Sequence, residues 1–232
     1  MEREIKEKAI VLKSENSGDA DRMLFLLSPE RGLFKAKIRG VKKPKAKLAF
    51  ASFPFCFGEY LLVKTGNNYT VTNCNFIDNF SPLSEDINKY YAGASILEVG
   101  LKTVQENEDC TDLFVAIING LTSLAYSDDN IFFVLTKFLI SALNYLGLGV
   151  SVGEINSPNA YFDFETGRVT CVQSENSAKI DEENISTIIS IIKPAKEQVK
   201  EQKASKLLLC ILVSYFEYKT EEKLGCMQVF CN

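Results

Sequence analysis

The first 80 positions contain short segments rich in apolar residues, some of them continuous apolar runs and one alternating with polar residues at intervals of two, which is typical of β-strands. Residues 33–40 show this alternation most clearly, since apolar and basic side chains follow one another there. Residues 28–32 and 66–68 have turn chemistry and interrupt the pattern. The pattern predicts five strands, and so many short strands favour a small barrel. The predicted strands cover residues 9–12, 23–27, 33–40, 53–63 and 69–77.

The spacing of apolar residues becomes helical from Ser84 onward, where Ser84, Glu85 and Asp86 predict a helix cap. A short non-helical insert, at about 150–175, predicts a hairpin. The fold class is therefore α+β, with a β-domain at 1–80 and a helical domain at 81–232. The predicted helices cover about 84–104, 111–127, 129–147, 183–192 and 200–222.

Positive charge is concentrated near the start of this acidic chain, whose formal net charge is −4. Residues 1–50 hold 13 basic and 7 acidic residues, a balance of +6, and the remainder holds 13 and 23, a balance of −10. Residues 31–58 contain no Asp or Glu. This asymmetry favours a polyanion-binding surface at one end of the molecule.

Two neighbouring segments carry these cations. The strand at 33–40 is predicted to direct Lys35, Lys37 and Arg39 to one solvent face. The following loop is predicted to be extended, because it contains Pro44 and its lysines repel one another. Most lysine runs are simply solvated, but here strand and loop together favour a polyanion site over that interpretation. The loop lysines are Lys42, Lys43, Lys45 and Lys47.

Other residues near these cations have two interpretations each. Arg22 either forms an ion pair within a hairpin turn or joins the cationic face. Aromatic rings nearby either stack on unpaired bases or belong to the core, and we expect one or two at most to be available for stacking. The rings concerned are Phe34, Phe50, Phe53, Phe55 and Phe57.

The composition argues against catalysis and against a membrane span. The chain contains no His, no phosphate-binding loop, no nucleophile elbow and no CxxC pair, so we expect no enzyme, no metal and no cofactor. Lys137 and Asn144 interrupt the most apolar stretch of the chain, 131–150, so a buried core helix is favoured there over a membrane span. Because the N-terminus is charged, we expect no signal peptide, and seven scattered cysteines suggest free thiols in a reducing cytoplasm.

Several N-terminal segments, taken in order, resemble the bacterial RecO family. They are the strand at 9–13, a GxxDR segment at 18–22, the strand at 24–27, the turn glycine Gly32 and the basic segment at 37–45. The match continues through 48–55 and the helix at 85–99. The resemblance covers the whole chain and is most specific in about the first 100 residues.

The resemblance implies an OB-fold barrel followed by an all-helical domain. It implies a cytoplasmic, nucleoid-associated protein that binds single- and double-stranded DNA and anneals complementary strands. It also implies action with RecR on strands coated by single-stranded-DNA-binding protein, whose C-terminal tail would be bound, so that RecA is loaded. The residues that it assigns to DNA are Arg22, Lys37, Arg39, Lys42, Lys43 and Lys45; Lys35 and Lys47 are added on charge alone.

The insert departs from the family pattern, in which many members carry two CxxC pairs that form a zinc site. The corresponding segments here are 157–160 and 171–174, and only Cys171 remains. Because a structural zinc site needs four ligands, we expect a degenerate, zinc-free hairpin. We expect packing on the helices to hold it instead, through Tyr161, Phe162, Phe164 and Val169.

Two other functions use the same cations. An RNA-binding OB module in translation or ribosome assembly would need the same basic strand and loop. A scaffold whose lysine loop binds an acidic protein would need them too. The helical second domain suits protein docking and favours the recombination mediator.

Overall fold

The computed structural model describes residues 3–194 and 204–232. Five strands form a closed barrel, as predicted, and their order in it is β1-β2-β3-β5-β4. All neighbours pair antiparallel except β3 and β5, which run parallel through Ala36–Ile38 and Tyr69–Val71. The strands are β1 (Arg3–Ser17), β2 (Asp21–Ser28), β3 (Gly32–Ile38), β4 (Phe57–Thr65) and β5 (Asn68–Asp78).

The barrel interior is filled by the inward side chains of all five strands. Leu24 and Leu26 from β2 meet Phe34 and Ile38 from β3, and all four are buried. The ring of Tyr60 is fully buried, and its hydroxyl donates to the carbonyl oxygen of Ala51 at 3.1 Å. The period-two pattern therefore marks the inner face of the barrel.

The prediction that residues 53–56 begin a strand is wrong. A 3₁₀ turn, Phe50–Ser52, precedes an irregular segment, and β4 begins only at Phe57. Phe55 has a positive φ of 70°, which no strand residue adopts. Phe55, Cys56 and Phe57 are consecutive and all buried, so side-chain alternation is lost there.

The chain forms two compact units that interleave along the sequence. The barrel unit comprises residues 1–85 and 97–118, and the helical unit comprises 86–96 and 119–232. In the barrel unit, the segment after α1 (Ile87–Thr103) runs against the start of β3, where the N–H of Leu33 donates to Gln105. Gly32 has a φ of 69°, and a Cβ there would lie 2.2 Å from the Gln105 oxygen, so this close approach requires glycine.

The other helices largely follow the predicted pattern. They are α2 (Thr111–Tyr126), α3 (Ile131–Tyr145), α4 (Glu182–Ile192) and α5 (Lys206–Thr220). The predicted start of the last of these, at about residue 200, lies outside the described residues. Side chains of Asn130, Asp181 and Ser205 cap α3, α4 and α5 by accepting backbone N–H bonds.

A sixth helix, α6 (Gly225–Cys231), was not predicted, since it is short and begins with glycine. Cys231 at its end is paired with Cys210 of α5 in a disulfide. The expectation of free thiols is therefore wrong for this pair. The thiols of Cys56, Cys74, Cys110, Cys171 and Cys226 form no disulfide.

The insert is larger than the predicted hairpin. The hairpin itself is present as β7 (Ala160–Asp163) and β8 (Arg168–Thr170), but β6 (Ser151–Val152) and β9 (Ser177–Ile180) extend it into a four-stranded sheet. Phe162 packs against Tyr215 of α5, with ring centroids 5.1 Å apart. Aromatic packing on a helix therefore holds the insert.

Candidate nucleic-acid interface

Strand β3 directs its basic residues away from the barrel core. Its alternate residues Phe34, Ala36 and Ile38 are buried, so Lys35 and Lys37 lie on the outer face. Arg39 follows the strand and is exposed. The predicted alternation is confirmed, and the DNA-binding role of these residues stays a prediction.

An open groove of about 610 Å³ runs along this outer face. Met23 and Phe25 of β2 pair with Lys37 and Lys35 of β3 and line the groove with them. The Nζ of Lys35 lies 4.9 Å from the ring centroid of Phe25, a cation–π distance. The groove therefore combines apolar surface with cations.

Lys37 differs from Lys35 because it is already paired. Its Nζ lies 3.1 Å from a carboxylate oxygen of Asp21, and the other oxygen accepts the N–H of Gly40 at 2.8 Å. These contacts hold the pKa of the Asp21 carboxyl below its usual value, with the Gly40 hydrogen bond as the largest cause and Lys37 next. Asp21 therefore fixes the start of the basic loop and offsets one cation of the strand.

The basic loop, residues 40–49, is folded and not extended as predicted. Backbone hydrogen bonds close successive turns. The N–H groups of Lys43, Ala46 and Ala49 donate to the carbonyl oxygens of Gly40, Lys43 and Ala46, respectively. Val41 is buried, and the N–H of Lys42 donates to Ala20 in the turn between β1 and β2. Turn hydrogen bonds and one apolar anchor outweigh the repulsion between lysines, because the ammonium groups themselves remain in solvent.

The four lysines of the basic loop are all exposed. In the part of the chain that the structure describes, none of them has a carboxylate within salt-bridge distance. Their charge is therefore uncompensated within residues 3–194 and 204–232. They are Lys42, Lys43, Lys45 and Lys47.

Arg22 lies apart from the outer face of β3. Its guanidinium donates to the carbonyl oxygen of Ser52 at 3.2 Å and lies 4.5 Å from the ring centroid of Phe53. Both contacts belong to the segment that follows the basic loop. The structure thus groups Arg22 with the 3₁₀ turn at 50–52, and its role in DNA binding stays a prediction.

Arg31 is the first cation of the acid-free segment and has a structural role. It donates to Glu7 at 2.6 Å and to the Tyr69 hydroxyl at 3.1 Å, and its side chain is mostly buried. It therefore links β1, β5 and the turn before β3. A charge count alone does not distinguish such a residue from an available one.

The aromatic residues separate into two groups. Phe34, Phe55 and Phe57 are buried, whereas Phe50 and Phe53 are exposed. This agrees with the expectation that one or two rings are available for stacking. Phe76 of β5 is also exposed and touches Phe50, a residue pair that sequence reasoning missed because their separation is 26 positions. Knowledge of the barrel fold, in which β5 lies beside the end of the basic loop, could have identified the contact between Phe50 and Phe76.

A carboxylate holds the insert together. Asp163 accepts the N–H and hydroxyl of Thr166 at 2.9 and 2.8 Å and the hydroxyl of Ser174 at 2.5 Å. These hydrogen bonds lower the pKa of Asp163, and the bond from Ser174 has the largest effect. Ser174 is the last residue of the segment 171–174, for which the resemblance led us to expect a degenerate metal site. The bonds therefore join the turn between β7 and β8 to the loop before β9.

No group of three or more His, Cys, Asp or Glu side chains with metal-binding geometry occurs in the described ranges. The Cys171 thiol hydrogen-bonds to backbone groups, accepting from the N–H of Asn156 at 3.3 Å and donating to the carbonyl oxygen of Glu154 at 3.7 Å. Nor does any helix within those ranges have the length and apolar character needed to cross a membrane. The absence of zinc stays a prediction.

Comparison with known proteins agrees with this architecture. The family model described as recombination protein O, N terminal, matches residues 1–80, and its C-terminal counterpart matches residues 84–226. The DNA repair protein RecO of Desulforamulus reducens is 25% identical over 231 residues, which cover 93% of this chain and 90% of the relative.

Two further relatives carry the same name. The DNA repair protein RecO of Caldicellulosiruptor bescii is 28% identical over 81% of this chain and 80% of its own length. That of Acetivibrio thermocellus is 26% identical over 69% of this chain, and the match spans 66% of the relative. With both family models matched in order on a barrel and a helical region, the chain belongs to the RecO family of recombination proteins.

Proposed function

We propose that this protein is a recombination mediator in DNA repair. It binds single- and double-stranded DNA and anneals complementary strands. With RecR it promotes RecA loading on strands coated by single-stranded-DNA-binding protein, whose C-terminal tail it contacts. Family membership supports the repair role, and the four uncompensated lysines of the basic loop support the contact with DNA.

The mechanism requires no covalent step. Two complementary strands repel each other through their phosphates, and this repulsion opposes their pairing. A lysine that contacts a phosphate neutralises its negative charge and releases the counterions condensed on the strand. The loop lysines act in this way, and Lys35 and Arg39 extend the contact along the groove. Asp21 keeps the loop in position beside β3.

The acidic remainder of the chain limits how much DNA one molecule binds. Residues 51–232 carry a net charge of −10, from 13 basic and 23 acidic residues. Like-charge repulsion confines the polyanion to the cationic surface. Contacts with RecR and with single-stranded-DNA-binding protein then belong to the rest of the molecule, and the protein works in the cytoplasm beside the nucleoid.

Annealing of two fluorescent complementary strands, each coated with the cognate single-stranded-DNA-binding protein, tests this proposal. We expect the protein to accelerate pairing, with the acceleration falling as salt rises, and RecR to increase RecA loading on the same strands. Absence of acceleration at every salt concentration would contradict the proposal. Binding of structured RNA in preference to single-stranded DNA would instead support an RNA-binding module.

A further inference from the structure

Three large aromatic side chains near the basic loop are exposed. Phe50, Phe53 and Phe76 have exposed fractions of 41%, 50% and 52%. Phe50 and Phe76 meet edge to face with ring centroids 5.8 Å apart, and the Arg22 guanidinium covers one part of Phe53. We call Phe50, Phe53 and Phe76 the aromatic platform.

The backbone beneath the aromatic platform is fixed. Ala51 and Ser52, between its first two rings, are buried, and the Ser52 hydroxyl donates to Ala49 at 2.7 Å. The buried Tyr60 hydroxyl donates to Ala51. The segment is thus anchored by its small residues, whereas its phenyl rings remain in solvent. Rings held in this way need little reordering to bind a ligand.

The surrounding charge indicates what binds there. Arg22 touches Phe53, and Lys47 precedes Phe50 by three residues in the same series of turns. The next acidic residue along the chain after Phe76 is Asp78, whose carboxylate accepts the N–H groups of Asn79 and Phe80. A ligand with flat apolar groups on an anionic backbone fits this arrangement. Unpaired bases of a single strand have free faces to stack, whereas a duplex buries them.

We propose that the aromatic platform stacks unpaired bases of single-stranded DNA and gives the surface its preference for single strands over duplex. This inference rests on the proposed function and adds a second kind of contact to it. The lysines bind phosphates of either form, and the rings bind only bases outside a helix. During annealing, a strand leaves the platform as its bases become paired.

The double substitution Phe50→Ala/Phe76→Ala tests the platform in the full chain by fluorescence anisotropy. We expect affinity for an unpaired oligonucleotide to fall about 10-fold or more, since each stacked base contributes a roughly tenfold factor. Affinity for duplex should stay within about twofold, and the salt dependence should not change, because no phosphate contact is lost. Val115→Ala, at an exposed apolar residue of α2, is the control.

A second variant gives a direct signal. The chain contains no Trp, so Phe76→Trp introduces a single indole at the platform. Unpaired DNA should quench its fluorescence and duplex should not, while Val115→Trp should respond to neither. Retained single-strand affinity in the double variant, or equal loss on duplex, would overturn the inference. Failure of the wild type to bind any single strand would instead contradict the proposed function as a whole.

Discussion

The basic loop and the insert sheet use charge in opposite ways. The loop holds four exposed lysines with no carboxylate partner in the described chain, and backbone turns give it its shape. The insert depends on one carboxylate, Asp163, whose oxygens accept hydrogen bonds from Thr166 and Ser174. The charges of the loop remain available to a ligand, whereas the charge of the insert is satisfied by hydrogen bonds within the protein.

This difference separates ligand-binding charge from structural charge. A charge that already has partners contributes to folding and has little left for a ligand, as with Arg31 on Glu7. A cluster of exposed like charges without partners has little effect on folding, because solvent screens it, and is neutralised when a polyanion binds. Substitutions in the loop should therefore change DNA binding without changing stability, and substitutions at Asp163 should do the reverse.

The largest effect should follow from replacing the loop lysines together. Lys42→Ala/Lys43→Ala/Lys45→Ala/Lys47→Ala removes up to four phosphate contacts, so affinity for single-stranded DNA should fall on the order of 100-fold at low salt. Thermal unfolding should be unchanged. The matched control removes four exposed lysines from the helical unit, Lys137, Lys179, Lys193 and Lys206, and a comparable loss there would mean that only net charge matters.

Removing the carboxylate of the insert should affect stability alone. Asp163→Ala leaves Thr166 and Ser174 without their acceptor and should lower the free energy of unfolding by about 1–2 kcal/mol, measured by urea denaturation. DNA affinity should match the wild type. Glu175→Ala, at an exposed acid of the same sheet region, serves as the control and should be neutral.

The same contact should weaken in acid. The folded pKa of Asp163 lies below its ordinary value of 3.8, so its contribution is complete above the unfolded pKa and is lost as pH falls through the folded pKa. The stability difference between wild type and Asp163→Asn should therefore be constant near neutral pH and shrink below about pH 4. A difference that persisted unchanged to pH 2 would argue against an ionised Asp163 in the fold.

A smaller effect should come from converting a paired cation into an available one. Asp21→Asn keeps an acceptor for the Gly40 N–H but releases Lys37, so single-strand affinity should rise about threefold at low salt. Asp19→Asn makes the same charge change at an exposed position of the same turn. An equal rise in both variants would show that the Lys37 pairing has no specific role.

Much of this architecture could be predicted from local pattern. The alternation at 33–40 identified β3 and its outer face, since strand geometry places alternate residues on opposite sides. The prediction of a strand at 53–56 was wrong because Phe55 and Cys56 are consecutive and both buried, which a non-regular segment with a positive φ at Phe55 permits. The same turn of the chain exposes Phe50 and Phe53, so their availability depended on tertiary structure.

Long-range pairings were beyond sequence pattern. The contacts of Asp163 with Ser174, Lys37 with Asp21 and Phe50 with Phe76 join residues that only the folded chain brings together. Short elements were missed for a related reason, because α6 and the outer strands of the insert have too few residues to show a period. Charge asymmetry located the basic surface, and pairing within the fold determined which of its cations remain available.

The salt dependence of single-strand binding tests the central claim most directly. Affinity of the wild type and of the variant with all four loop lysines changed to Ala would be measured over a range of salt concentrations. If the uncompensated lysines contact phosphates, the log–log slope should become shallower by up to about 2.8, or roughly 0.7 for each lost contact. Identical slopes would contradict the account and would mean that the basic loop remains in solvent when DNA binds.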